Sequence, residues 1–580
     1  MNYGVLTVKK LLIPIAVVAV GASAYLYQQQ GAGDNNVLSY VPSDTPLFTG
    51  QLTPFPIKDY IASSPHLIDP SDQAQIKALH DQETPSLHFL ANLMKAYQDG
   101  LKDADLLVKT FGLADQVRAY VYTLGLLPVF KLEVANPQAI WDLLDKNEQE
   151  TGFIHKEGKL KDITYRTYPL TENNSGKSIN LLVAQSNGIL TVTIEGDFVS
   201  ENLLAMALGL EKPNKSLADT TVISDIMEQH QFSDDSVGFI NHIEIIKGLT
   251  SKDDNQLAKQ LTELGKEEGQ NPFEMLQTDV CKSELNSIAQ NWPRTVFGYT
   301  QVDISKDEST LGFAAVIASK NQVILDALKA LRGYIPNYTQ NFDNSVIATS
   351  IGLDVSQLSS SLTNILSDLI TPSYQCAPLA DIQYQIEASG QSLSMLGMGA
   401  NMAAGVKGAS AAVFDYSISE NNDQAQLDSF DALLAVHVDN PVAIFNSLKM
   451  FVSPLQQMEL TNNGPAISLK DLFPTPPELN LDPQLAIKGN HLVVYNGNKG
   501  LQEAEKLALE KLSANGIYQL SFDAKKILTP ISDAAKLAGE IIPEEAMFLM
   551  DYDARMNINL DINDQGIRFD STVNNKSPKK

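Results

Sequence analysis

The feature that most limits how this chain can fold is a strand-to-helix corner that occurs twice. Val134-Ala135-Asn136-Pro137-Gln138-Ala139-Ile140-Trp141 returns far downstream as Val438-Asp439-Asn440-Pro441-Val442-Ala443-Ile444-Phe445. Before each corner, Pro128–Val134 and Ala432–Val438 alternate apolar and polar side chains as a half-buried strand does. Both runs then meet Asn-Pro. Asn is a good cap because its side-chain oxygen accepts a first-turn N–H, and Pro suits the first helical position, where no N–H partner is needed. The spacing predicts a helix at each corner, with apolar stripes at Ala139, Ile140, Leu144 and at Ala443, Ile444, Leu448. Asn136, Pro137, Trp141 and Asn440, Pro441, Phe445 are therefore read as structural, with Trp141 and Phe445 filling one slot.

Further pairs recur in the same order. The stretch Thr45–Leu52 resembles Asn344–Thr349, and both read as opening strands. Leu181–Ile194, broken at Ser186-Asn187-Gly188, reads as a hairpin and matches Gln484–Tyr495, broken at Gly489-Asn490. Helical runs Ser200–Leu208 and Leu501–Leu509 come next. Gly238–Ile243 then mirrors Gly516–Ser521, which pairs His242 with Leu520, and a last hairpin sets Val302–Ile304 and Leu311–Phe313 beside Leu560–Ile562 and Gly566–Phe569. The expected fold is α+β: two homologous tandem domains, each a mostly antiparallel sheet with helices packed on one face, after an N-terminal membrane segment.

Residues 1–10 carry Lys9-Lys10, and 11–27 are uncharged and apolar, so the run orients with its N-terminus in the cytoplasm and directs export of the downstream chain. Two outcomes stay open. Ala22-Ser23-Ala24 fits a cleavage site for a soluble periplasmic product, whereas Tyr25-Leu26-Tyr27 places aromatics where an uncleaved inner-membrane anchor has its interface. Residues 28–36 form a tether, 37–336 a first domain, 337–344 a linker, 345–573 a second domain and 574–580 a basic tail. Within the first domain, Thr84–Lys109 reads as helices, Lys159–Leu170 as one strand, and Lys252–Ser287 as a helical insertion carrying Cys281.

At 580 residues, with 44% hydrophobic and 19% charged side chains, the chain suits more than one globular core. A formal charge of −27 repels nucleic acid and anionic lipid. The two cysteines, Cys281 and Cys376, occupy non-equivalent places in the two copies, and in an oxidising compartment they are candidates for a disulfide. In Ser392–Ala412, Met395, Met398 and Met402 lie among small residues. That segment reads either as a close-packed helix or as a pliable surface for an apolar ligand.

No motif commits the chain to a chemistry. Ser175-Gly176-Lys177-Ser178 ends like a phosphate loop, but Thr171 stands where the leading glycine belongs. Asp561, Asn563 and Gly566 suggest a calcium loop, yet Gln565 and Thr572 replace two ligands, which leaves a hairpin turn. The eight histidines are scattered and form no metal or nucleophile motif. No cofactor is therefore expected.

With its apolar N-terminus, a strand announced by Val41-Pro42-Ser43-Asp44-Thr45-Pro46-Leu47, and β/α units with the Asn-Pro corner, the chain resembles a group of N-terminally anchored bacterial envelope proteins of similar length. The resemblance covers the layout of most of the chain; it implies a periplasmic location, and its motifs carry no statement of mechanism. The expectation is a non-catalytic envelope protein that binds a partner protein or an apolar ligand. A lipid carrier and a hydrolase with dispersed residues are the alternatives.

Overall fold

A computed structural model describes residues 36–64, 70–82, 84–172, 178–196, 199–233, 236–268, 271–340, 344–400, 403–421, 424–470, 481–537 and 553–577. The expected anchor at 11–27 lies outside them. Among the described residues no helix is long and apolar enough to cross a membrane. The fold is α+β, with antiparallel sheet and helices, and the chain divides into two compact units, Met1–Ala315 and Val316–Lys580.

The first unit contains β1 (Leu47–Gln51), β2 (Ala119–Leu124), β3 (Leu127–Glu133), β4 (Lys156–Leu160), β5 (Ile163–Glu172), β6 (Ser178–Ser186), β7 (Ile189–Glu195), β8 (Ser236–Asn241) and β9 (Arg294–Ile304), and β10 (Glu308–Ala318) carries the chain out of it. Antiparallel pairs order them β4-β5-β6-β7-β3-β2-β1-β8-β9, and β10 lies on β9. The second unit contains β11 (Ile347–Gly352), β12 (Val406–Asn421), β13 (Gln424–Val438), β14 (Ile467–Ser468), β15 (Gln484–Lys488), β16 (His491–Asn496), β17 (Tyr518–Asp523), β18 (Asp553–Asn563) and β19 (Gly566–Lys576). Their order is β14-β15-β16-β13-β12-β11-β17-β18-β19, also antiparallel. Strand for strand, this is the order of β5 through β10 in the first unit.

Both corners start helices, Pro137–Thr151 and Pro441–Lys449; the first buries Ile140 and Leu144 of its expected stripe, but the second turns Pro441 and Phe445 inward and leaves Ala443 and Leu448 exposed, because the bulkier Phe445 takes the core position. Asn440 caps its helix by accepting from the Ala443 N–H at 3.0 Å, whereas Asn136 makes no side-chain cap. What the corners share is backbone: Ala135 N–H donates to the Gly112 carbonyl and Asp439 N–H to that of Gly405. Both glycines are left-handed, φ 62° and 92°. A Cβ on Gly112 would meet the Asn136 carbonyl oxygen at 2.0 Å, so only glycine fits there.

Four expectations need adjustment. Lys159–Leu170 is not one strand but part of the β4–β5 hairpin, which turns at Lys161 with φ 51°. The turn Lys161-Asp162 carries only an Asp as its mark, which is weak in a chain this acidic. Residues 337–344, expected as a linker, include a short helix, Asn337–Gln340, whose Tyr338 is buried. The β8–β17 match is shifted by four residues. Thr49 faces Gly238 and Thr349 faces Leu520, so His242, which opens the helix His242–Thr250, corresponds to Ala524 and not to Leu520. The capping residues agree, since Asn241 accepts from Glu244 N–H and Asp523 from Lys526 N–H.

Finally, helices cover both faces of the first unit's sheet, not one. On one face Phe55, Ile57, Tyr60 and Ile61 pack on Ala119, Phe130, Leu132 and Tyr299. On the other, Leu204, Ala205 and Leu208 pack on Leu182 and Ala184. Strand alternation gives two apolar faces here, and the chain between β1 and β2 supplies helices for the second.

Candidate functional site in the second unit

Trp141 carries the Arg166 guanidinium 4.8 Å above its ring, and Phe445, 1% exposed, carries the Lys449 ammonium at 5.8 Å. Both cysteines are disulfide-bonded and neither is free. Met395 and Met398 belong to the helix Ala377–Ala400, but their side chains, like all of Met402, lie outside the described residues, as do Ser175-Gly176-Lys177. Asn563 closes the β18–β19 turn by accepting from Gln565 and Gly566 N–H, as a hairpin requires. Among the described residues no group of three or more His, Cys, Asp or Glu is placed to hold a metal.

The structure gathers residues that sequence spacing could not. His437 on β13 and His491 on β16 are register partners, 54 positions apart. Both are 0% exposed, with Nδ1 atoms 2.8 Å apart. His437 Nε2 lies 2.8 Å from Ser410 Oγ, and Ser410 Oγ lies 2.5 Å from Tyr338 Oη. Tyr334 packs edge-on to His437, ring centroids 4.9 Å apart, and its hydroxyl donates to Glu510. His491 Nε2 completes no hydrogen bond, although the Glu510 and Leu507 carbonyls are near enough to favour a proton on it. Burial, and for His437 also the neighbouring His491, pushes the pair down to about 3 and about 4.

Serine, base and orienting imidazole are thus within reach of one another. The serine hydroxyl is nevertheless held between Tyr338 and His437 and is only 7% exposed, so a substrate cannot approach it. One set of neutral tautomers satisfies the row: Tyr338 O–H to Ser410, Ser410 O–H to His437 Nε2, His437 Nδ1–H to His491 Nδ1, and His491 Nε2–H toward the carbonyls. This is a polar network that sets the core, not a nucleophile site.

Tyr334 also borders a cavity of about 180 Å³, with Arg332, Asp354, Lys407, Asp439 and Ser513 on its walls. Lys407 Nζ bonds Asp354 Oδ2 at 2.8 Å and stands 3.5 Å from Asp439 Oδ2. Arg332 grips Asp561 through Nε and Nη2, both at 2.7 Å. Burial pulls the Lys407 ammonium down, but Asp354 and Asp439 outweigh it and hold its pKa above the ordinary value.

A separate closed network occupies the first unit, where buried Glu148 accepts from Tyr168 O–H and bonds His155, each at 2.7 Å, and Arg166 bonds Asp145 at 2.6 Å. No family model matches the chain, and neither does any curated protein or solved structure.

Proposed function

We propose that the chain is a non-catalytic protein of the bacterial cell envelope, built from two copies of one module, whose second unit binds an apolar helix of a partner protein. The shared strand order and the shared corner backbone support the duplication. The single observation behind the binding role is a sheet face that the described residues cover only in part, with helix Ala524–Leu537 lying against β12, β17 and β18. Ile347 and Ile351 on β11, Leu434 on β13 and Phe569 on β19 are 38%, 55%, 56% and 37% exposed, and strand register puts them on one side of the sheet. Contiguous apolar surface of this kind marks interaction sites.

The identity of the occupant is argued from the first unit. There the equivalent positions, Phe130 for Leu434 and Tyr299 for Leu560, are covered by the chain's own helix Ile57–Ser63 through Ile57, Tyr60 and Ile61. In the second unit the helices in that stretch of chain, Leu358–Ile370 and Ala377–Ala400, pack on each other, and the former on Gln322–Ala330. A helix of similar apolar chemistry from another protein fills the same role.

The test is a photo-crosslinker at Thr349 in the full chain, used in intact envelopes with the attachment site read by mass spectrometry. One recurring apolar helical segment of one protein is expected, lost in Leu434→Asp and Ile351→Asp. Attachment to lipid, to a second copy, or to nothing would overturn the reading. For location, an alkaline phosphatase fused at the C-terminus should be active and a fluorescent protein dark. The opposite pair of results would remove the envelope from the proposal.

A further inference from the structure

The second unit's charged cavity is built from residues other than those of the exposed sheet face. We infer that the cavity bounded by Arg332, Asp354, Lys407 and Asp439 binds a small zwitterion, a molecule with a carboxylate and an ammonium in the manner of a free α-amino acid. Three observations lead there. The first is hydrogen-bonding capacity left over after the internal pairs are made. Arg332 spends Nε and Nη2 on Asp561 and leaves Nη1. Lys407 makes one bond of hydrogen-bonding length, to Asp354. The Asp439 side chain is 58% exposed, and its ion pair, to Lys407 Nζ at 3.5 Å, is long, which leaves most of its acceptor capacity open. A lone anion would engage only the donors, and a lone cation only Asp439. A zwitterion meets both demands at no net charge.

The second observation is size. A cavity of about 180 Å³ has room for a small amino acid.

The third comes from the first unit, where the same backbone is built without these charges. Leu353 N–H donates to the Lys407 carbonyl as Phe55 N–H does to that of Val117, and Asp439 N–H to Gly405 as Ala135 N–H does to Gly112. The first unit therefore places Pro56, Val117 and Ala135 where the second has Asp354, Lys407 and Asp439. Asp354 also has a local duty, capping a helical turn by accepting from the Ser356 N–H at 3.1 Å, so the charges that the shared backbone leaves for recognition are Lys407 and Asp439.

The experiment is calorimetric titration of the full chain with glycine, L-alanine and L-serine, using acetate and methylammonium as half-ligands. The amino acids should bind, each half-ligand at least about tenfold more weakly. Asp439→Asn and Lys407→Met should each weaken binding by about tenfold or more, and Leu434→Asp, which disables only the exposed sheet face, should leave it unchanged. Absence of binding by every amino acid at millimolar concentration, equal binding by acetate alone, or variants that bind like the parent would each overturn the assignment. If Lys407→Met does not fold, the exposed Asp439→Asn variant, checked by its thermal melt, carries the test.

Discussion

Lowering the pH from 7 to 5 should destabilise the second unit by about 4 kcal/mol through His437 and His491 alone. Both imidazoles are wholly buried, share one N–H between their Nδ1 atoms, and face Ser410 and Tyr334, with no carboxylate bonded to either ring among the described residues. Folding lowers their pKa from 6.5 to about 3 and about 4. A base whose folded pKa is depressed binds more protons when unfolded. Its contribution is intact above 6.5 and is lost as the pH falls from there toward the folded values. Over that window each group costs about 1.4 kcal/mol per pH unit. Denaturant titrations at intervals from pH 7 to 5 should give a slope that steepens from about half a proton at pH 7 toward two protons near pH 5. His491→Phe keeps an aromatic beside Tyr334 and should remove about one proton from that slope. A flat profile, or a slope indifferent to the substitution, would show that the imidazoles can be hydrated without unfolding.

Lys131→Met should stabilise the first unit at pH 7 by about 1–3 kcal/mol. The Lys131 ammonium on β3 lies 2.9 Å from Thr191 Oγ1 and 2.5 Å from the Ala207 carbonyl, with the residue 5% exposed and no carboxylate bonded to it among the described residues. Burial pushes it down to about 7. Here the contribution is complete only above the unfolded lysine value and is lost as the pH falls toward 7, so the parent protein gains stability between pH 7 and 10. The methionine variant removes the titrating group and should be level across that range; the cost of leaving Thr191 and Ala207 without their donor is about 1 kcal/mol each and is already discounted. Ala435 occupies the corresponding place on β13, so the architecture does not require an amine there. Equal loss of stability in the variant at both pH values would mean that the hydrogen bonds outweigh desolvation.

Much of the scaffold was readable before any coordinate. Asn-Pro after an alternating run starts a helix at Pro137 and at Pro441 because capping and proline's fixed φ act within a few residues. Asn187-Gly188 turns the β6–β7 hairpin for the same local reason, both residues having positive φ. The turn at Lys161, which has only Asp162 to signal it, was weakly marked, and the β8–β17 match slipped by four because short alternating strands look alike at several offsets. Of the candidate site almost nothing was legible. Ser410, His437 and His491 obey no motif spacing, and Arg332, Asp354, Lys407 and Asp439 are ordinary charges in an acidic chain.

By itself, then, the sequence determined the local grammar: which stretches are strands or helices, where the corners fall, and that the set recurs in one order. Tertiary structure alone decided which faces are covered, that His437 lies opposite His491, and that Lys131 is shut away from water. The division has one cause. Capping, turns and periodicity depend on neighbours a few residues apart, whereas burial and register depend on which distant strands pair, and that is fixed only when the whole sheet closes.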